Sequence, residues 1–276
     1  MSGSMSTSIA NPVTSVAVGN FDGMHRGHAA LFERLGDRGG IVVVEHYRAT
    51  LTPGFYRARF ADRPLFFYDF ERIRDLDPGA FVARLCEDFP ALQRIVVGED
   101  FHFGARRAGD TGRLRELFEG EVAVVPEVSW QGHPVHSRHI RREITEGSLE
   151  RANGMLGHPY ETWGDVIRGQ GIGAKALVPT LNLAPGRFLL PKAGVYATDT
   201  CFGGACYPSV TFVGHRHTTD GGFAVETHLI GRTLHRPPTE LSVRWKRMLR
   251  ENRKFESLEA LKRQIGQDIE AAGAVR

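Results

Sequence analysis

The residues from Val16 to His28 read V-A-V-G-N-F-D-G-M-H-R-G-H, and they predict a strand, a tight loop and the start of a helix. Valines at alternate positions before the first glycine are typical of a short buried strand, and Gly19 and Gly23 let the backbone turn sharply behind it. Asp22 is expected to be the N-cap of the helix, because an apolar helical pattern follows. The stretch therefore places the start of a helix directly behind a strand.

His25 and His28 lie three residues apart at this helix start, so both side chains are expected on one helix face. A helix start offers free backbone N–H groups and a partial positive charge, which favour phosphate. Two imidazoles there would bind a polyphosphate and neutralise the charge that grows on a leaving pyrophosphate. One histidine alone at such a place is more often a capping or surface residue. The pair, behind a strand and among small residues, favours phosphate binding.

The chain has 276 residues, a comfortable length for two domains, and 41% of them are hydrophobic, enough for ordinary cores. The net charge of +3 gives no reason to expect a nucleic-acid or membrane partner, and no basic stripe or helix-turn-helix is visible. Residues 1–12 begin M-S-G-S-M-S-T-S and lack the regions of a signal peptide, so we expect a disordered tail. With no apolar run long enough to span a bilayer, we expect a soluble, cytoplasmic protein.

Three cysteines are present, Cys86, Cys201 and Cys206. A turn at the two glycines between the last two would place these cysteines opposite each other on a hairpin. Two thiols without nearby histidines do not complete a zinc site. We expect reduced, buried cysteines, and a redox role is the less favoured alternative.

Strands and helices alternate in the first half of the chain. Apolar runs predict strands at 41–44, 64–68, 94–98 and 121–125, and helices are expected from Pro78, behind the N-cap Asp77, and over 112–118. The alternation favours a doubly wound parallel sheet, in which ligands bind at the carboxyl edge. The arginine-rich stretch 51–64 is either a solvated loop or a loop that covers a substrate.

The second half of the chain has a different sequence pattern. Two short helices ended by Gly147 and Gly157 lead to Pro159, and beyond it short segments at 162–167, 194–199, 209–213 and 223–230 alternate with Gly, Pro and Asn. Such spacing is typical of a small antiparallel β-barrel. We therefore expect an α/β domain over 13–158 and, over 159–276, a barrel followed by a terminal helix capped by Ser257.

Several segments resemble, in order, the signatures of the bacterial bifunctional FAD synthetases, in which a riboflavin kinase is joined to an FMN adenylyltransferase. GNFDGMHRGH at 19–28 looks like the H-x-G-H motif of nucleotidyltransferases, and VVGEDFHFGARRAGD at 96–110 resembles the family's second signature. VHSRHIRREI at 135–144 is similar to its phosphate site, and GSLERANGMLGHPY at 147–160 to its bridge. VPTLNL at 178–183 and VETHL at 225–229 resemble the riboflavin kinase motifs. The resemblance runs from about Val13 to Ala271.

The resemblance implies two reactions with ATP and Mg²⁺, phosphorylation of riboflavin to FMN and transfer of AMP to FMN, which gives FAD and pyrophosphate. In the first half it implies catalytic roles for His25, His28 and Arg141, phosphate or nucleotide contacts for Gly19, Asn20, Asp22, Gly23 and Ser137, and flavin contacts for Asp100, Phe101 and Phe103. In the second half it implies a general base, Glu226, and ligands of Mg²⁺ and ATP phosphate, Thr180 and Asn182. The expected phosphate loop before them contains Gly171, Gly173 and Lys175.

The chain departs from the family pattern at a few positions. His136 and Arg138 stand where a serine and a threonine are usual, Leu177 replaces a glycine, and GHRHT at 214–218 replaces G-x-R-P-T. The alternatives are therefore an enzyme with one of the two activities, or a flavin- or nucleotide-binding regulator without turnover. Glu226 favours a working kinase, since binding alone requires no base. Riboflavin, FMN and ATP are the expected partners, and a monomer or weak homo-oligomer is expected.

Overall fold

The computed structural model describes residues 12–46, 50–167, 178–216 and 222–275. The chain divides into two compact units, Met1–Ser129 and Trp130–Arg276. The domain boundary predicted from the sequence lies further along the chain, between residues 158 and 159, and stays a prediction. Within the described residues, no helix is both long and apolar enough to cross a membrane.

The first unit is built on a five-stranded parallel sheet. Its strands are β1 (Ser15–Gly19), β2 (Gly39–Glu45), β3 (Leu65–Asp69), β4 (Arg94–Gly98) and β5 (Glu121–Val125), in the spatial order β3-β2-β1-β4-β5. The helices are α1 (Arg26–Phe32), α2 (Phe70–Ile73), α3 (Pro78–Asp88) and α4 (Thr111–Leu117), with 3₁₀ turns at Gly54–Arg59 and Ala105–Arg107. The predicted doubly wound parallel sheet is confirmed.

Both faces of this sheet bury apolar side chains. Val16 and Val18 of β1 pack with Leu85 of α3, whereas Ala17 between them packs on the opposite face with Leu31 of α1. A strand buried on both faces needs a continuous apolar sequence, and this explains why β1 and β2 could be recognised.

The start of α1 differs from the prediction. Its N-cap is His25, so the expectation that Asp22 caps this helix is wrong. Phe21, Gly23 and Met24 have φ values of 54°, 95° and 45°, in the left-handed region that a right-handed helix excludes. The loop must therefore end before the helix can begin.

The second unit contains a closed antiparallel barrel, as predicted. Its strands are β8 (Tyr160–Ile167), β9 (Leu181–Ala184), β10 (Gly194–Phe202), β11 (Ala205–His215), β12 (Phe223–Leu229) and β13 (Glu240–Glu251), in the order β10-β11-β12-β9-β8-β13. Ahead of it lie a two-stranded ribbon, β6 (Ser129–Trp130) with β7 (His133–Pro134), and the helices α5 (Ser137–Glu146) and α6 (Leu149–Leu156).

The terminal helix α7 (Leu258–Gly273) has the predicted N-cap, because the Ser257 hydroxyl accepts a hydrogen bond from the Ala260 N–H. Asp268 on this helix is buried and accepts hydrogen bonds from the Arg250 guanidinium of β13 at 3.0 and 2.7 Å. This two-point contact fastens α7 to the barrel.

The cysteines depart from the prediction. Cys201 and Cys206 face each other across β10 and β11, as expected, but they form a disulfide. Cys206 and Cys86 are exposed and Cys201 is half-buried, so the expectation of reduced, buried thiols is wrong. The turn at Gly203 and Gly204, both with positive φ, holds the two Cα atoms 4.0 Å apart and allows the bond.

Candidate active sites

His25 and His28 form a stacked pair at the start of α1. Their ring centroids lie 3.5 Å apart, with 19° between the ring planes. His25 is buried, and its Nδ1 accepts a hydrogen bond of 3.3 Å from the His28 backbone N–H. An Nδ1 that accepts this bond carries no proton, so the ring proton is assigned to Nε2. The rings of Phe21 and His28 pack nearly perpendicular to each other, with their centroids 5.1 Å apart.

The loop that carries this pair lies where the winding of the sheet reverses. β1 has β2 on one side and β4 on the other, and the chain proceeds outward in both directions from these central strands. Ligands of doubly wound sheets bind outside the carboxyl ends of such strands. β1 ends at Gly19 and β4 at Gly98, so the motifs at 19–28 and 96–110 meet at one edge of the sheet.

Gly19 and Asn20, both predicted to bind nucleotide, lie at the first turn of this loop. A Cβ at Gly19 would lie 3.0 Å from the Phe21 ring, so any larger residue there requires the ring to shift by a few tenths of an ångström. The Asn20 amide donates a hydrogen bond of 2.8 Å to the carbonyl of Val44, at the end of β2. Asn20 thereby ties the loop to the neighbouring strand.

Asp22 and Gly23 contact a distant part of the chain. The Asp22 carboxylate is 1% exposed and accepts hydrogen bonds from the backbone N–H groups of Leu51 and Thr52, both at 2.9 Å, and of Thr50 at 3.3 Å. The Gly23 N–H donates to the Thr52 hydroxyl at 2.7 Å. The structure therefore places the polar groups of both residues against the segment 50–52.

The three predicted flavin contacts have different surroundings. Phe103 is buried, packs against Phe81 of α3 at 5.4 Å, and stacks on Phe101 at 5.5 Å. It belongs to the core of the first unit. Phe101 is half-buried and Asp100 is exposed, so these two of the three offer surface to a ligand.

A buried ion pair beside this edge was not predicted. Arg57, fully buried, donates from Nη1 to Glu45 at the end of β2 at 2.5 Å and to the Gly54 carbonyl at 3.1 Å. Among the described residues, Arg57 Nε and Nη2 and Glu45 Oε1 have no hydrogen-bond partner. The solvated-loop alternative for 51–64 is thus wrong at Arg57 and at the buried Thr52, whereas Phe55 is 81% exposed. A charged residue directly after an apolar strand, Glu45, is the sequence signal for this pair.

Ser137 and Arg141 lie in the second unit. Ser137 is the first residue of α5, and Arg141 follows about one turn later on the same helix. Both side chains are half-buried. Their predicted contacts with the nucleotide phosphates stay predictions.

In the barrel, Asn182 of β9 and Glu226 of β12 are directly opposite each other. Opposed residues on antiparallel strands share a face, with Cβ atoms about 4.5–5.5 Å apart. Arg216 donates from Nη1 to Glu226 Oε1 at 2.8 Å, and both side chains keep about a fifth of their surface exposed, 21% and 22%. The topology thus joins two predicted site residues that are far apart in sequence, and the guanidinium orients the carboxylate.

Thr180 lies two residues before Asn182, the spacing at which side chains of an extended chain share a face. The residue before Thr180 is held against β12, because His228 Nδ1 of that strand lies 2.8 Å from the Pro179 carbonyl. Hydroxyl and amide oxygens are hard ligands, and Mg²⁺ keeps water and phosphate oxygens in the rest of its shell, so this donor set fits a magnesium ion.

The predicted phosphate loop with Gly171, Gly173 and Lys175 lies outside the described residues. In the part of the chain that the structure describes, no group of three or more His, Cys, Asp or Glu side chains is arranged to hold a metal ion.

Both halves of the chain match known protein families. A riboflavin kinase family model matches residues 156–275, and an FAD synthetase family model matches residues 8–42 and 62–139. A bifunctional riboflavin kinase/FMN adenylyltransferase from Pseudomonas fluorescens is 33% identical over 94% of this chain and 91% of its own length. Proteins of the same name from Listeria monocytogenes and Escherichia coli are 28% and 27% identical, each over 92% of this chain and over 89% and 90% of their own lengths.

A solved structure has a similar fold over the same extent. The crystal structure described as a macrolide-efflux protein from Streptococcus pneumoniae has a TM-score of 0.84 and 26% sequence identity, and the match covers 96% of this chain and 95% of that one. The two-part architecture is therefore shared along nearly the whole chain.

Proposed function

The chain belongs to the bifunctional riboflavin kinase/FMN adenylyltransferase family, and from this premise we propose which residues carry its two reactions. The protein is an enzyme of FAD biosynthesis that phosphorylates riboflavin to FMN with ATP and adenylylates FMN to FAD. The kinase reaction is assigned to the barrel and the adenylyl transfer to the edge of the parallel sheet.

The position of Glu226 opposite Asn182 carries the kinase assignment. Glu226 accepts the proton of the riboflavin 5′-hydroxyl as that oxygen attacks the γ-phosphorus of ATP, and ADP leaves. Arg216 holds the carboxylate in one orientation through its hydrogen bond of 2.8 Å. A base fixed beside the phosphate ligands is what an in-line phosphoryl transfer requires.

Thr180 and Asn182 would hold Mg²⁺ through a hydroxyl and an amide oxygen. When bound, the ion neutralises charge on the ATP phosphates and orients them. The cross-strand position of Asn182 and Glu226 supports this assignment, because opposed residues of antiparallel strands share a face.

The stacked pair of His25 and His28 carries the adenylyl-transfer assignment. A phosphate oxygen of FMN attacks the α-phosphorus of ATP, and pyrophosphate leaves. The nucleophile is already an anion, so the protein must align the groups and neutralise charge more than remove a proton. The His25 Nε2–H and the His28 ring supply such donors at the start of a helix.

Chromatography of flavin products tests the histidine assignment in the full-length chain, with MgATP and either riboflavin or FMN. We expect His28→Ala to lower FAD formation by roughly 100-fold or more, as loss of a preorganised donor does, while riboflavin is still converted to FMN. His133→Ala, an exposed histidine of β7, is the matched control and should keep both activities. FAD synthesis at the wild-type rate in His28→Ala would remove the histidine pair from the mechanism.

The same assay tests the base. We expect Glu226→Gln to lower FMN formation from riboflavin by about 100-fold to 10,000-fold, the usual contribution of a general base, while added FMN is still converted to FAD. Glu240→Gln, an exposed position on β13, is the control. Wild-type riboflavin phosphorylation in Glu226→Gln would refute the assignment, and wild-type protein that makes no FMN or FAD would favour a regulator without turnover.

We also propose a cytoplasmic location. It is supported by the use of ATP in both reactions. Fractionation of cells with an antibody against the chain tests this proposal, and recovery outside the cytoplasmic fraction would refute it.

A further inference from the structure

The loop with the two histidines is fastened to a segment about thirty residues away. Asp22 accepts hydrogen bonds from the N–H groups of Thr50, Leu51 and Thr52, and the Gly23 N–H donates to the Thr52 hydroxyl. We call residues 50–59 the strap. Thr52 and Asp22 are 3% and 1% exposed, so these hydrogen bonds are shielded from water.

The backbone of this loop needs such external contacts. Phe21 and Met24, neither of them glycine, have φ values of 54° and 45°, and Gly23 between them has 95°. Positive φ at three of the four positions 21–24 is unfavourable for a free chain and persists where surrounding groups hold the loop in place. His25 follows these residues directly, so the loop conformation sets the position of the histidine pair.

The other end of the strap is also anchored. Arg57 donates to Glu45 at the end of β2 at 2.5 Å, and it is fully buried. The strap is thus attached to the histidine loop through Asp22 and Thr52 and to the sheet through Arg57.

The surroundings of Asp22 also bear on its predicted phosphate contact. Its carboxylate is buried, carries the same sign of charge as phosphate, and already accepts three backbone hydrogen bonds. A carboxylate in that position favours ordering of the backbone over binding of an anion.

We propose that Asp22 and Thr52 are positioning residues for the adenylyl transfer, which hold the histidine loop in its left-handed conformation without touching the substrates. The inference rests on the proposed role of His25 and His28. It extends the site to a segment within residues 43–61, which lie outside the ranges matched by the FAD synthetase family model.

Thr52→Val and Thr52→Ser provide the test in the full-length enzyme. Valine has the shape of threonine but cannot accept the hydrogen bond from Gly23, whereas serine can. We expect Thr52→Val to lower the kcat of FMN adenylylation by about tenfold or more, since small misplacements of reacting groups have effects of that size, with the KM for ATP and FMN unchanged. Thr52→Ser should restore the wild-type kcat, and riboflavin phosphorylation should be unchanged in both variants.

Hydrogen exchange adds a readout that does not depend on activity. The Gly23 amide should exchange faster in Thr52→Val than in the wild type or Thr52→Ser, because its acceptor is gone. Asp22→Asn is the second variant, which keeps one acceptor oxygen but places an amide donor against backbone donors. It too should lower kcat rather than raise KM.

The outcomes separate this inference from the proposed function. Wild-type FAD formation by His28→Ala would refute the function proposed for the histidines. If His28→Ala is inactive but Thr52→Val and Asp22→Asn keep the wild-type kcat, the positioning role is overturned. Equal loss of both enzyme activities in the two variants would also overturn it, because it would show a general folding defect.

Discussion

Arg106 lies in the 3₁₀ turn after β4 with a φ of 55°, in the region that favours glycine. Glycine adopts this conformation without the strain of about 1–2 kcal/mol that a Cβ causes there, and the greater freedom of glycine in the unfolded chain offsets about 0.5–1 kcal/mol of that gain. We therefore expect Arg106→Gly to raise the free energy of unfolding by roughly 0.5 kcal/mol, measured by denaturant titration. Arg115→Gly, exposed but inside α4, is the control and should lower it by about 1 kcal/mol. A lower stability for Arg106→Gly would contradict the strain argument.

In the buried pair of Arg57 and Glu45, each charge compensates the other. Removing one partner leaves the other charge without compensation, so Arg57→Met should lower the free energy of unfolding by about 3–5 kcal/mol. Adding Glu45→Gln to that variant should recover a large part of the loss. The two single variants and the double variant form a cycle that can be measured by denaturant unfolding. Additive losses would show that the ion pair contributes nothing beyond its separate side chains.

Local patterns identified residues whose partners are near in sequence. The spacing of His25 and His28 predicted a common face, and the rings stack. The role of Asp22 could not be predicted in the same way, because the amides it binds lie 28 to 30 residues away. The pattern that predicts an N-cap depends only on neighbouring residues. Asp22 fits this pattern, although its carboxylate does not cap the helix.

At the scale of elements, the buried strands were predictable and the closure of the barrel was only partly so. β4 and β5 have the predicted bounds, because each contains three or four consecutive apolar residues behind a charged first residue. β13 was not predicted, although Leu241, Val243 and Trp245 are buried and alternate with polar residues such as Arg244, the pattern of a half-buried strand. Its pairing with β10, which closes the barrel, joins strands that are far apart in sequence.

The hairpin of β10 and β11 is held by its strand pairing and by the disulfide. The strands pair along nine residues each, from Gly194 opposite Val213 to Phe202 opposite Ala205, so the ladder does not depend on the disulfide. We expect the double variant Cys201→Ser, Cys206→Ser to unfold with a free energy lower by about 2 kcal/mol, the effect of releasing a short loop, and to keep riboflavin phosphorylation. A loss of kinase activity in the double variant would show that the disulfide supports the kinase site.

A count of free thiols shows whether the wild-type protein that is compared with the double variant contains the disulfide. Under denaturing, non-reducing conditions the protein should show one free thiol, Cys86, and three after reduction. Partial desolvation of the sulfur by its neighbours, with a smaller contribution from the charge of Glu119, raises the pKa of the otherwise exposed Cys86 thiol. In the folded protein Cys86 should therefore react more slowly with an alkylating reagent than an ordinary exposed thiol, with a rate that rises with pH.

At the scale of the whole molecule, each unit buries its own core, and this separation can be tested through the two activities. Leu85 is fully buried in the core of the first unit, and Leu85→Ala should lower the stability of that unit by about 2–5 kcal/mol. After brief heating, this variant should lose FAD formation from FMN at a lower temperature than the wild type, while FMN formation from riboflavin persists. Val195→Ala, in the core of the second unit, should lower the temperature at which FMN formation from riboflavin is lost. If Leu85→Ala lost both activities at the same lowered temperature, the two units would unfold together. Separate cores instead predict two transitions, each shifted by substitutions in its own unit.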